Sequence, residues 1–113
     1  MRLPIGAAAP LLAIVLTIAP APLNGLHAQA AAVAVRIGNF TFSPQTLTVP
    51  VGATVTWSND DDVPHTVVAT DGAFKSKPLD TGDKFSVTFS TPGVHAYFCS
   101  IHPMMTGKIV VKG

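Results

Sequence analysis

The chain has 113 residues, a formal net charge of +1 and an apolar fraction of 48%. This length fits one domain and leaves no room for a second. Apart from Arg2, six basic residues balance six aspartates, which gives no support for nucleic-acid binding or for strong attraction to an anionic membrane.

The first 30 residues have the features of a cleaved secretory signal peptide. Arg2 gives a positive start, residues 11–19 form an apolar core, and small residues allow cleavage after Ala28 or Ala30. An uncleaved membrane anchor is the alternative, but prolines bound the apolar run at nine residues, or about 14 Å of helix against about 30 Å of hydrocarbon. We therefore predict export to the periplasm, with a processed domain over residues 31–113 that does not span the membrane.

The rest of the chain consists of short runs that alternate apolar and polar residues, a pattern typical of β-strands. The runs are rich in Val, Thr, Ile and aromatic residues, and Gly or Pro breaks recur about every ten residues. The predicted strands cover residues 33–37, 46–49, 54–57, 65–69, 85–89, 94–98 and 108–111. The fold class is therefore predicted as all-β, a Greek-key β-sandwich of about seven to eight strands.

Cys99 is the only cysteine of the chain. In an oxidising compartment cysteines usually pair, and this one has no partner within its own chain. It could form an intermolecular disulfide, react as a free thiol, bind a metal or fill the core as a small apolar residue. Its neighbours in the sequence distinguish these roles.

The sequence around Cys99 indicates a copper site. Cys99, His102 and Met105 place a thiol, an imidazole and a thioether at intervals of three in the loop between the last two predicted strands, and His65 opens an earlier strand. Two His, one Cys and a weak axial Met form the ligand set of a type 1 (blue) copper site. Three extended residues span about 10 Å, so the three loop ligands converge only if the loop is tight. His65 must then come from an adjacent strand.

Two other polar features are predicted to be structural. His95 lies on the same predicted strand as Cys99, about 13 Å away, and cannot reach the same ion. The run Asp60-Asp61-Asp62 is interpreted as a solvated loop rather than as an acidic docking patch.

The string from Cys99 to Lys108, with His65 upstream, closely resembles the cupredoxins, and within them the amicyanin and plastocyanin branch. The resemblance covers residues 33–113 and implies a cupredoxin sandwich with one type 1 copper ion. Plastocyanin-type loops have four residues between the second His and the Met, whereas amicyanin has two, as here. This spacing makes Met105 rather than Met104 the implied axial ligand.

The family pattern differs from this chain after the first His ligand. In amicyanin and plastocyanin an Asn at that position ties the two ligand loops together through its side chain. Thr66 occupies the position here, and we expect its hydroxyl to form a less complete tie.

The resemblance implies a one-electron carrier that cycles between Cu(II) and Cu(I) and is not an enzyme. In the family the second His ligand passes electrons through an apolar patch, the role of His102 here. Pro64, Pro103 and Met104 are expected to surround it, so that a redox donor and acceptor dock transiently on a monomer.

Two alternative functions remain at this stage. A copper delivery or storage protein usually offers additional exposed ligands, and Met104 is the only surplus one here. An enzyme with Cys99 as nucleophile would need an orienting residue or an oxyanion motif, and none is apparent in the sequence.

Overall fold

The structure, a computed structural model, describes residues 32–113. The predicted signal peptide lies outside the described residues. Within them, no helix is long and apolar enough to cross a membrane.

In residues 32–113, eight strands form two four-stranded sheets. One sheet has the order β2-β1-β4-β6 and the other the order β3-β8-β7-β5. In each sheet one pair is parallel, β1 with β4 and β3 with β8, and the other pairs are antiparallel. The prediction of an all-β sandwich with seven to eight strands is confirmed. The strands are β1 Ala32–Gly38, β2 Thr41–Ser43, β3 Thr46–Pro50, β4 Thr54–Asn59, β5 Val68–Ala69, β6 Lys84–Thr88, β7 Gly93–Phe98 and β8 Thr106–Lys112.

The strand prediction is wrong at two places. It misses β2, because three residues are too few to show a period of two. It also places a strand over residues 65–69, where only Val68 and Ala69 are in a strand. The backbone N–H groups of Thr66 and Val67 instead donate to side chains, Cys99 Sγ at 3.3 Å and Ser76 Oγ at 2.9 Å. The chain therefore joins the sheet only at Val68, three residues after His65.

The core lies between the two sheets and contains the largest buried side chains, Trp57 on β4 and Tyr97 on β7. Their rings meet edge to face with centroids 5.2 Å apart. Gly107 on β8 pairs with Tyr97 across the sheet and leaves the space that the tyrosine ring fills, since a Cβ there would overlap the ring. Burying each large apolar side chain contributes about 1.5–3 kcal/mol. Because Cys99 follows Tyr97 by two residues, this packed core directly supports residues 99–105, the loop between β7 and β8 that we call the ligand loop.

Candidate metal centre

Three of the four predicted ligands meet in one cluster. The Nδ1 atoms of His65 and His102 each lie 3.8 Å from Cys99 Sγ, and the three donor atoms lie within 4.8 Å of one another. His65 is held by a bridge to Leu79, in which its N–H donates at 3.1 Å and its C=O accepts at 2.7 Å. The donor atoms come together as the spacing predicts. His65, however, joins the cluster from a segment held by an isolated bridge and not from a regular strand.

The loop between β7 and β8 is tight, as the sequence predicts. The backbone N–H of Cys99 donates to the C=O of Met105 at 3.0 Å, and that of Met105 donates to the C=O of His102 at 2.8 Å. These bonds fold the loop so that Met105 is buried, whereas Met104 is 95% exposed. Of the two methionines of this loop, Met105 therefore lies inside the fold and Met104 faces solvent.

The environment of Cys99 favours the thiolate. Burial raises the pKa of the thiol, but hydrogen bonds from the backbone N–H of Thr66 and from the rings of His65 and His102 outweigh it and lower the pKa to about 6. The thiolate is the form of cysteine that ligates metals. At neutral pH the cluster therefore presents a soft anionic sulfur between two imidazoles.

Thr66 ties the two ligand segments together. Its Oγ1 accepts a hydrogen bond from the backbone N–H of Ser100 at 2.7 Å and lies 2.8 Å from Ser100 Oγ. Its own backbone N–H donates to Cys99 Sγ. A tie thus forms without the Asn of the family pattern, because Ser100 presents both a hydroxyl and an N–H to the threonine.

Asp61 is a site residue that the sequence interpretation missed. Its Oδ2 lies 2.9 Å from Nε2 of His65, the ring nitrogen that faces away from the cluster. Only 13% of the Asp61 side chain is exposed, so the interpretation of the aspartate run as a solvated loop is wrong at this position. The only signal in the sequence was that Asp61 lies four residues before His65. This spacing indicates a contact only when the conformation of the turn between the two residues is known.

Phe40 is a second residue that sequence reasoning missed. It follows β1 in a left-handed backbone conformation, with φ of 57°, next to Asn39 with φ of 50°. Its ring lies edge-on to both imidazoles, with centroids 5.4 Å from His65 and 4.9 Å from His102. A bulky residue with positive φ is uncommon and costs about 1–2 kcal/mol. The alternation of apolar and polar residues in the sequence does not indicate that the Phe40 ring covers the two imidazoles.

A shallow apolar pocket of about 390 Å³ surrounds His102. The prediction placed three residues around this imidazole, and two of them, Pro103 and Met104, line the pocket. Pro64 is exposed but is not among the lining residues. Phe40 and Ile101, which the prediction did not include, also line the pocket, together with Met105.

His95 lies outside the cluster, as the strand length requires. Its Nε2 lies 2.8 Å from the C=O of Thr91, and its ring packs on Phe89 with centroids 5.2 Å apart. These contacts give it a structural position on β7, away from the ligand loop.

With this fold and this cluster, the chain belongs to the cupredoxins: the model of the cupredoxin-like domain matches residues 7–111. Amicyanin-alpha from Methylorubrum extorquens is 32% identical over 91 residues, which cover 76% of each protein. The structure of a purple cupredoxin from Nitrosopumilus maritimus is 39% identical, with a TM-score of 0.67 over 71% of this chain and 99% of that one. The resemblance to the cupredoxins is confirmed.

A copper-containing nitrite reductase from Thermus scotoductus is also a structural neighbour, at 33% identity and a TM-score of 0.70. The match covers 75% of this chain but only 23% of the reductase chain. The likeness is therefore to one portion of that enzyme.

Copper is the cofactor that this family binds, and the residues present fit it. The cluster combines one thiol of lowered pKa with two imidazole nitrogens at 3.8 Å from the sulfur. Thiolate and imidazole together suit copper in both oxidation states. The donor set of this chain is therefore that of a type 1 copper protein.

Proposed function

We propose that this protein is an exported, monomeric one-electron carrier whose copper is held by His65, Cys99, His102 and Met105. The observation that carries the proposal is the thiol flanked by two imidazoles, each Nδ1 at 3.8 Å from the sulfur. Copper bound there supplies a one-electron couple between Cu(II) and Cu(I). The family membership and the cluster support an electron carrier, and the buried Met105 supports its assignment as the axial ligand.

The chain's own contribution is to hold the donor atoms still. The ligand loop is closed by its backbone hydrogen bonds, and Thr66 joins it to the segment of His65. His65 is fully buried, and Phe40 covers both rings. Ligands that are fixed and shielded from water need little rearrangement when the charge of the site changes, which favours rapid electron transfer.

The pocket around His102 supports transient docking of redox partners. Met104, Phe40 and Ile101 are large apolar side chains with 95%, 49% and 46% exposure. An exposed apolar patch of this kind marks an interaction site, and small interfaces are typical of weak electron-transfer encounters. We propose that the donor and the acceptor both approach His102 across this rim.

Export to the periplasm is part of the proposal and rests on the leader sequence. The protein is expressed in a Gram-negative host and the mass of the periplasmic product is measured. A mature chain that begins at Gln29 or Ala31 is the expected result. A product that keeps residue 2 and sediments with membranes would show that the leader acts as an anchor.

The copper site is tested by spectroscopy of the purified protein with cupric ion. A strong blue charge-transfer band and a narrow copper hyperfine splitting in the electron paramagnetic resonance spectrum are expected. Cys99→Ser should abolish both, whereas Ser100→Ala, a control in the same loop, should keep the band. A colourless adduct that survives Cys99→Ser would overturn the ligand assignment.

Copper delivery is the second candidate function, and the exposure of Met104 is the observation that favours it. The two functions differ in what happens on reduction. A carrier keeps its copper through repeated cycles of reduction and oxidation, as we expect here. Rapid transfer of copper to a chelating acceptor on reduction, slowed by Met104→Leu, would favour delivery.

A further inference from the structure

One carboxylate oxygen joins two features of the site that are distant in sequence. Asp61 Oδ2 lies 2.9 Å from Nε2 of His65 and accepts a hydrogen bond from the backbone N–H of Phe40 at 3.0 Å. The first contact orients an imidazole of the cluster. The second fixes the left-handed turn that places the Phe40 ring over both imidazoles.

The backbone around Asp61 is itself held firmly. Its N–H donates to Asn59 Oδ1 at 2.9 Å, and its C=O accepts from Thr81 Oγ1 at 2.6 Å. Asn59 is fully buried, and its Nδ2 donates to the C=O groups of Val63 and Leu79. The position of the carboxylate is therefore determined by the fold and not by a flexible surface loop.

We propose that Asp61 is a positioning residue that sets the reduction potential of the copper site through His65. The proposal rests on the proposed function, because it assumes that Nδ1 of His65 is a ligand. Histidines that bind metals usually donate the hydrogen on their other ring nitrogen to a second group, which fixes the tautomer and increases the electron donation of the ligating nitrogen. A carboxylate does this while adding a negative charge.

The charge of Asp61 acts on the two oxidation states unequally. Together with the Cys99 thiolate it balances the two positive charges of Cu(II), whereas with Cu(I) one negative charge is in excess. His65 is fully buried and the Asp61 side chain is 13% exposed, so water screens the interaction weakly. The carboxylate therefore stabilises the oxidised site more than the reduced site and lowers the reduction potential.

Asp62 provides a matched control for this effect. It carries the same charge one residue along the chain but is exposed. The substitutions Asp61→Asn and Asp62→Asn each remove one negative charge without changing the shape of the side chain. Only the first removes a charge that contacts His65.

The experiment is voltammetry of the copper-loaded wild-type protein and of both variants, with circular dichroism to verify folding. Asp61→Asn is expected to change the ratio of affinities for the two oxidation states by about tenfold, which raises the potential by about 59 mV for one electron. Asp62→Asn is expected to shift it by less than a third of that amount. Two results would overturn the role of Asp61 while leaving the proposed function intact. One is an equal shift of the potential in both variants, and the other is an unshifted potential in Asp61→Asn with the blue band retained.

A second measurement needs no variant. In the wild-type protein loaded with cuprous ion, which is diamagnetic, proton–nitrogen correlation spectra should show the Nε2 hydrogen of His65 well downfield of an ordinary imidazole N–H, because Asp61 Oδ2 accepts it. An Nε2 hydrogen of His65 at an ordinary imidazole chemical shift would overturn the proposal even if Asp61→Asn does not fold. If the wild-type protein shows no blue band with copper, the proposed function fails together with this inference. If the wild-type band is present and only the Asp61 measurements fail, the proposed function stands.

Discussion

The two imidazoles of the metal centre lie in different surroundings. His65 is fully buried, bonded to Asp61 and bridged to Leu79, so elements from across the chain hold it. His102 is half-buried in a short loop, and its neighbours Pro103 and Met104 face solvent. The buried side fixes the geometry of the centre, whereas the exposed side presents it to other proteins. A carrier needs both, because the same ion must be shielded from water and still be reached by partners.

Replacing each imidazole in turn should show this difference most strongly. In His102→Gly the vacated position opens to solvent, so added imidazole should enter and restore the blue band. In His65→Gly the cavity is closed by the fold and by Phe40, and the same addition should restore little or no colour. Titration of both variants with imidazole in the presence of cupric ion measures the effect. Equal rescue of the two would mean that the buried side is open to solvent.

A substitution at Gly107 tests the packing of the core that supports the metal centre. Gly107→Ala places a methyl group against the ring of Tyr97, and we expect the free energy of unfolding to fall by about 3 kcal/mol. Gly38→Ala is the matched control, since a Cβ there has no neighbouring atom within 4 Å. Denaturant unfolding of both variants gives the comparison, and similar losses would show that the site rests on a looser core.

The ionisation of Tyr97 tests the same core. Burial raises the pKa of this phenol from 10.0 to about 12. The folded protein then keeps its proton at a pH where the unfolded chain loses it, so the associated stability is complete below pH 10 and is lost as the pH rises towards 12. At a pH of about 12, the free energy of unfolding should have fallen by about 2 kcal/mol on account of this group. Because the chain has a single tyrosine, ultraviolet titration reports this group alone; ionisation near its ordinary value would show that water reaches the ring.

The connection between the two sides depends on Thr66. Thr66→Val removes the hydroxyl, which meets Ser100 and lies 3.8 Å from Cys99 Sγ, but keeps the backbone N–H that donates to this sulfur at 3.3 Å. We expect a loss of about 1 kcal/mol in unfolding free energy and a blue band of unchanged position. A lost band would mean that the hydroxyl, and not the backbone, holds the sulfur in place.

The smallest effect is expected on the exposed side. Met104→Ser should leave the blue band unchanged and alter the unfolding free energy by no more than about 0.5 kcal/mol, because the side chain is 95% exposed. Electron exchange with a partner protein should slow if the apolar rim forms the contact. A changed spectrum would instead identify Met104 as a ligand.

The sequence predicts the loop that carries Cys99 and His102 better than the surroundings of His65. Cys99, His102 and Met105 are close in the chain, so their residue types and spacing suffice to predict a shared ion and a tight loop. Period-two alternation likewise predicts seven of the eight strands, although His65 lies before its strand instead of within it.

The contacts on the buried side depend on turns whose conformation no local pattern specifies. Phe40 reaches the imidazoles only because two successive residues adopt positive φ. Asp61 reaches His65 because the buried amide of Asn59 organises the turn between them. Neither arrangement follows from composition or periodicity, and both require the tertiary structure.

The separation of 34 residues between His65 and Cys99 also bears on how the protein folds. Cys99, His102 and Met105 can gather locally, whereas His65 joins them only after non-local contacts form, and such contacts are slow because a long loop must first close. In a refolding chain the loop that carries Cys99 and His102 should therefore form before His65 reaches it. The blue colour that develops during refolding with copper then measures how fast the segment of His65 docks beside β7, and this rate can be compared with the burial of Trp57, which lies on the other sheet.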